Sequence, residues 1–276
     1  MGRSTKYIVG FAAAVCLVCS LVVSGTAVSL KELQEINKVL DKQKKVLTVA
    51  GLMSEGEEIA PDEVVRRFES SIEAVVIDLS TGDVNAEATE NAASYDQKKA
   101  TRDPATSMKA PKNRAGVPRM PLRAMVYLVK KDAVVEKYIL PIEGKGLWST
   151  LYGFIALGPD TNLIQGITFY EHGETPGLGG EVDNPNWKAK WPGRLAFGAA
   201  DAPNEWNKPK IRVVKGMAGS VADAPHSVDG LAGATITSNG VSHLLNLWLG
   251  EHGFGPYLEK QRASHKAAAV NPGSGA

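Results

Sequence analysis

Cysteine is nearly absent: the 276 residues contain two, Cys16 and Cys19, both inside an apolar N-terminal run. No disulfide or thiolate metal site can therefore form beyond that run. A Cys-x-x-Cys pair in apolar surroundings with no histidine nearby reads as helix surface rather than a ligand set. Surplus charge is missing as well. Lys and Arg total 31 against 30 for Asp and Glu, and the formal net charge of +1 supplies no field that would gather nucleic acid. The five histidines, His172, His226, His243, His252 and His265, show no metal-ligand spacing. No nucleophile, base and orienting group stand in a recognisable order, which argues against a free-standing hydrolase. The run Gly177-Leu178-Gly179-Gly180 lacks the strand-to-helix setting of a dinucleotide fingerprint, so the chain has no recognisable nicotinamide site.

What is present begins with Tyr7 to Val28, 22 residues without a charged side chain, preceded by Arg3 and Lys6. About 20 apolar residues suffice to cross a bilayer as a helix, and the run exceeds the roughly 7–15 residue core of a signal peptide. An uncleaved single-pass anchor is expected, although Gly25-Thr26-Ala27 would serve as a cleavage site in the rival reading. Membrane lipid is then a partner of residues 1–29. Lys31, Lys38, Lys42, Lys44 and Lys45 beyond the run leave orientation open on charge alone.

Leu30, Leu33, Ile36, Leu40 and Leu47 recur at near-helical spacing and predict a stalk helix over 30–49. Pro61-Asp62-Glu63 predicts the start of a second helix, and Ile72 to Leu79 a strand ending at Ser80-Thr81-Gly82-Asp83. Asn85 to Arg119 carries Lys98, Lys99, Arg102, Lys109, Lys112 and Arg114 among few large apolar residues, so a solvated surface linker is expected. Its alternative reading is contact with anionic lipid or a partner. From Leu122 two hairpins are expected: 124–129 with 134–140 around Lys130-Lys131-Asp132, and 151–157 with 163–170 around Gly158-Pro159-Asp160. Repeated hairpins ahead of a helical run predict an α+β domain over 122–258, an antiparallel sheet with packed helices. Residues 30–121 form the stalk, a small α/β segment and the basic linker, and the polar end, 259–276, is expected to be a disordered tail.

Three stretches carry the chemistry. Gly144-Lys145-Gly146-Leu147-Trp148-Ser149 joins the hairpins, and Glu171-His172-Gly173-Glu174-Thr175-Pro176-Gly177-Leu178-Gly179-Gly180 follows the second. Each combines glycine for close backbone approach with a side chain able to cover a planar ring. For His172 a loop-orienting hydrogen bond is expected, for His243 a packing or capping place, and for Trp187 and Trp191 packing. The third stretch, Asp229 to Gly240, places Thr235, Thr237 and Ser238 ahead of the apolar run Val241 to Leu249. On its own it reads as a Gly-rich turn with Ser238 or Asn239 as the helix N-cap.

The third stretch also resembles the flavin-attachment sequence of the FMN-binding domain family: Asp, two residues, Ser or Thr, then Gly-Ala-Thr. Here Ala232 stands at the Ser/Thr position, while the acceptor hydroxyl is kept. The resemblance implies a phosphoester between FMN and Thr235, with Asp229, Gly233 and Ala234 in the motif, installed by a separate flavin transferase that cleaves FAD. The succession Gly-Lys-Gly-Leu-Trp-Ser, Glu174-Thr175-Pro176-Gly177-Leu178-Gly179, Asn184-Pro185-Asn186-Trp187 and Gly-Ala-Thr is similar to the C-subunit family of sodium-translocating NADH:quinone oxidoreductases. The G subunit of the Rnf electron-transport complex shares two of these segments. The Trp148 loop and Tyr170-Glu171-His172 favour the quinone reductase. This resemblance implies an electron carrier without independent turnover, set in a cell inner membrane with its large domain on the periplasmic side. Its partners would be the other subunits, especially the flavin-bearing B subunit. Glu174, Thr175, Gly177, Leu178, Gly179 and Trp148 would surround the cofactor, with Leu178 against the isoalloxazine. The competing class is a membrane-tethered binding or assembly module without covalent flavin.

Overall fold

A computed structural model describes residues 4–132, 134–198 and 208–270. Helix α1, Thr5–Ala50, contains no proline. The chain divides within α1 into two compact units, Met1–Lys42 and Gln43–Ala276. In the first, the apolar side chains, Phe11, Leu17, Leu21 and Val22 among them, are exposed along the helix. Among the described residues this is the one helix long and apolar enough to cross a membrane. It fits a single-pass anchor.

The second unit is built on a five-stranded antiparallel sheet. Its elements are α2 (Pro61–Ser71), β1 (Ile72–Asp78), the short helices α3 (Ala86–Glu90) and α4 (Gln97–Arg102), β2 (Ser107–Lys109), β3 (Arg119–Pro121), β4 (Arg123–Lys131), β5 (Val134–Lys145), β6 (Thr150–Leu157) and β7 (Ile164–Glu171). The spatial order of the sheet is β1-β4-β5-β6-β7, while β2 and β3 pair separately. Both expected hairpins form, with Tyr127 opposite Ile139 and Ile155 opposite Ile167. The tight β6–β7 turn is held by Asp160, whose Oδ1 accepts from the amides of Asn162 at 3.1 Å and Leu163 at 3.0 Å. After a 3-10 turn at Gly179–Asp183 come α5 (Pro185–Lys188), the two-residue strands β8 (Arg212–Val213) and β9 (Ser227–Val228), α6 (Thr235–Leu249) and α7 (Gly255–Val270).

Strand alternation sends side chains to two buried faces. On one, Val126, Leu128, Leu140, Ile142, Ile155 and Phe169 join a single core with Leu244, Leu245, Trp248 and Tyr257 of the C-terminal helices. On the other, Tyr127 meets Phe68 of α2 edge-on at 5.9 Å, and Gly166 leaves room for Val49 at the end of α1. β1 pairs with β4 over its full length, from Ile72 opposite Val129 to Asp78 opposite Arg123. The sheet domain therefore does not begin at 122. The end of α1, α2 and β1 belong to it, because β4 needs an edge partner and the second face needs a cover.

Two further expectations are corrected. The basic stretch 85–119 is folded onto the domain: Lys98 Nζ lies 3.6 Å above the Tyr152 ring and 2.7 Å from Glu171, and Tyr95 donates to the Arg123 carbonyl at 2.6 Å. For Lys98 the ammonium lies over the ring with its charge paired, whereas Lys99, Arg102, Lys109, Lys112 and Arg114 stay exposed, as a solvated surface stretch would have them. The tail expected to be disordered from 259 continues as α7 through Val270, with Tyr257, Leu258 and Arg262 buried. Residues 271–276 lie outside the described residues.

Helix α6 sits unusually close to the end of β5. A Cβ on Gly240 would lie 2.3 Å from the Lys145 carbonyl oxygen, and one on Gly144 would lie 2.6 Å from Leu244 Cβ. Backbone cannot yield as a side chain tip does, so Gly240→Ala should destabilise the domain by about 3 kcal/mol. Urea unfolding followed by circular dichroism measures this; an unchanged midpoint would show that α6 can shift.

Candidate functional site

The site grows from the carboxylate of Glu174, which is 5% exposed. Its Oε1 accepts from the amides of Trp148 at 2.9 Å and Ser149 at 3.1 Å. Its Oε2 accepts from the Leu147 amide at 3.1 Å and the Thr237 hydroxyl at 2.6 Å. One side chain thus joins the 146–149 loop, its own loop and the first turns of α6. Close approach explains two glycines, since a Cβ on Gly146 or Gly179 would lie 2.6 Å from a Glu174 oxygen. Burial pushes the Glu174 carboxyl up, but the hydrogen bonds from Thr237 and the amides of Trp148, Ser149 and Leu147 outweigh it and hold it below the usual carboxylate range. The loop is further fixed where Gly173 N–H donates to Ser149 Oγ at 2.6 Å and Glu174 N–H to His172 Nδ1 at 3.3 Å. Behind it, Asp183 accepts from Lys45 and Lys188 at 3.0–3.1 Å, and Lys188 also reaches Glu55 at 2.8 Å. That ion cluster, with Lys188 buried and its carboxylates partly exposed, anchors the far end of the 174–183 segment.

Helix α6 begins at Thr235, not after Ser238 or Asn239 as the hydroxyls and the amide suggest. Ala234 is the N-cap and has no side-chain hydrogen bond to give, so the helix opens without a side-chain cap. Ser238 turns back instead, its Oγ accepting from the Leu231 amide at 3.0 Å. Gly233 precedes at φ 70°, where a Cβ would be strained and would also strike Leu178 Cδ2 at 2.9 Å. Thr235 itself is exposed, and its hydroxyl makes no hydrogen bond among the described residues.

Large apolar side chains on these loops and on the first turn of α6 are exposed: Trp148 is 71% exposed, Ile236 57%, Leu147 49% and Leu178 44%. Gly177, at φ 76°, faces open space. Thr175 is exposed, and its carbonyl accepts from the amides of Leu178 at 3.1 Å and Gly180 at 2.9 Å, which shapes the loop. Glu174, Leu178, Gly179, Gly233, Ala234 and the Trp148 backbone are thus brought together around the first turn of α6.

Asp229 turns elsewhere: its Oδ1 accepts from the Ala218 amide at 2.7 Å and its Oδ2 from Lys190 at 2.6 Å, while its carbonyl accepts from Trp187 Nε1 at 2.8 Å. The bond from the Ala218 amide and that from Lys190 hold its carboxyl below the usual range. It braces the loop that leads to Thr235. Trp187 packs edge-on to Trp191, as expected of packing residues. His243 lies half-buried on α6 and faces a separate groove of about 960 Å³ that also includes Arg114, Arg212 and His226. None of the expected cofactor residues lines that groove, and the exposed threonine is not in it.

Sequence reasoning missed Thr237 and Ile236. The Thr-x-Thr spacing was visible, but which threonine faces the loops depends on a contact 63 residues away in sequence.

An open threonine hydroxyl at an uncapped helix start, walled by Gly-rich loops and an apolar rim on an antiparallel sheet, defines an FMN-binding domain. The FMN-binding domain family profile matches residues 146–250. Over nearly the whole chain the similarity is narrower. The C subunit of the Na(+)-translocating NADH-quinone reductase of Vibrio vulnificus is 46% identical over 261 residues, covering 94% of this chain and 96% of that protein. Its counterpart in Pseudomonas aeruginosa is 45% identical, covering 94% and 97%. The crystal structure of Shewanella oneidensis NqrC superposes with a TM-score of 0.71 at 34% identity, covering 81% of this chain and 97% of that one. The chain belongs to the NqrC family, the C subunits of the Na(+)-translocating NADH-quinone reductases.

Proposed function

We propose that this chain, as a subunit of the sodium-translocating NADH:quinone reductase, holds FMN by a phosphoester on Thr235 and carries electrons toward the flavin of the B subunit. The observation that carries the reading is a difference among three neighbouring hydroxyls. Thr237 is committed to Glu174 and Ser238 to the Leu231 amide, whereas Thr235 is exposed and uncommitted. A hydroxyl of ordinary basicity needs outside activation, so a flavin transferase must reach it, and exposure permits that. In the transfer, Thr235 Oγ1 forms a bond to the FMN-side phosphorus of FAD, the pyrophosphate bond breaks, AMP leaves, and the hydroxyl proton goes to the transferase base. The uncapped amides at the start of α6 suit the phosphate that results.

Bound flavin supplies reversible electron uptake; the chain's own residues hold it and shape its surroundings. Leu178, Trp148, Leu147 and Ile236 offer apolar surface to the ring, Gly177 and Gly179 allow close approach, and Thr175 offers a hydroxyl. Glu174 locks the walls together. Without a nicotinamide site the chain relays electrons rather than oxidising NADH by itself. Lipid surrounds the exposed apolar face of α1, and the domain lies on the periplasmic side. The test is intact-mass analysis with peptide mapping of chain produced beside a flavin transferase. An FMN-sized increment on the Thr235 peptide is expected; an unmodified chain would return the membrane-tethered binding module as the working function.

A further inference from the structure

Resting on the reading of Thr235 as the acceptor, we infer that Thr237 is the positioning residue that decides which threonine of α6 is presented for modification. Side chains advance by about 100° per residue on a helix, so positions two apart face nearly opposite ways. Thr237 is fully buried, and its hydroxyl donates to Glu174 Oε2 at 2.6 Å. Among the described residues that bond is the only one the Glu174 carboxylate receives from a side chain; the other three come from the amides of the 146–149 loop. It is therefore the one link from the carboxylate to the helix carrying Thr235. Turning Thr237 inward turns Thr235 outward.

The surroundings are built around that bond. A Cβ on Gly179 would lie 2.6 Å from both Glu174 Oε2 and Thr237 Oγ1, so glycine is what lets the two meet. Threonine is stiff at χ1, which holds its hydroxyl toward the carboxylate at small entropic cost. Core packing by Leu244, Leu245 and Trp248 seats the body of α6. In the uncapped first turn Ser238 is tied to the Leu231 amide and Thr237 to Glu174, and of the two only Thr237 joins the helix to the carboxylate that holds the loops.

The test uses the full chain in its unflavinylated form, labelled by purified flavin transferase with FAD, and follows the mass increment with time for Thr237→Val and Thr237→Ser. Valine keeps the shape and removes the donor; serine keeps the donor. Thr237→Val should lower the transferase kcat by about tenfold or more, the rate equivalent of one hydrogen bond to a charged acceptor, with Thr237→Ser restoring most of it. Gly179→Ala, which presses on the same bond from the other side, should slow labelling likewise and stands in if the valine variant does not fold. Wild-type labelling of Thr237→Val or of Gly179→Ala, or a serine variant as slow as valine, overturns the positioning role. A wild-type chain that takes no increment overturns the acceptor reading as well, so the two failures are told apart by the wild-type trace.

Discussion

Thr235→Val is expected to yield a folded chain that takes up no FMN, a loss of labelling that is complete rather than partial. Valine is close to isosteric, and Thr235 is exposed with no hydrogen bond to lose, so the change in folding stability should stay within about 0.5 kcal/mol. The neighbouring hydroxyls cannot substitute, since Thr237 is buried against Glu174 and Ser238 is buried beneath the Leu231 amide. Thr235→Ser should keep the acceptor and be labelled. Intact mass and in-gel flavin fluorescence read the result. A labelled Thr235→Val chain would move the attachment elsewhere.

Glu174→Gln is expected to lower folding stability by about 3 kcal/mol and Tm by roughly 6–12 °C, although it removes no volume. The cause is hydrogen-bond polarity. All four partners of the carboxylate are N–H or O–H groups, so an amide NH₂ in place of one oxygen sets donor against donor. Glutamine's carbonyl can serve one side of the fork only. The effect should also depend on pH. Because the native carboxyl titrates below its ordinary value, its stabilisation is fully present above the unfolded pKa of about 4.3 and is lost as pH falls through the native value. The gap between wild type and variant should therefore be constant near neutrality and narrow in acid. Urea titrations at pH 7, 5 and 3.5 measure it; a gap that does not change with pH would mean that Glu174 is not titrating against these donors.

Much of the fold was legible because it rests on local chemistry. Lys130-Lys131-Asp132 and Gly158-Pro159-Asp160 mark turns whose residues favour reversal, and both hairpins formed around them. Pro61 began a helix because a missing N–H costs nothing at a first turn. Composition misled where burial is arranged at long range. Lys98 looks like a solvated charge in sequence, yet covers the Tyr152 ring and pairs with Glu171. β1 looks separable from the sheet, yet supplies the edge partner of β4.

The site divides in the same way. Sequence by itself determined the apolar anchor run, the antiparallel class, the two Gly-rich loops and the Gly-Ala-Thr motif, because each depends on residues close along the chain. Only the tertiary structure decided that α6 starts at Thr235, that Asp229 braces a loop toward Lys190, and that Thr237 points into Glu174. The physical reason is that helix propensity sets neither the first residue of a helix nor its rotation about its own axis. Those depend on tertiary contacts, among them the bond from Thr237 to the Glu174 carboxylate 63 residues away.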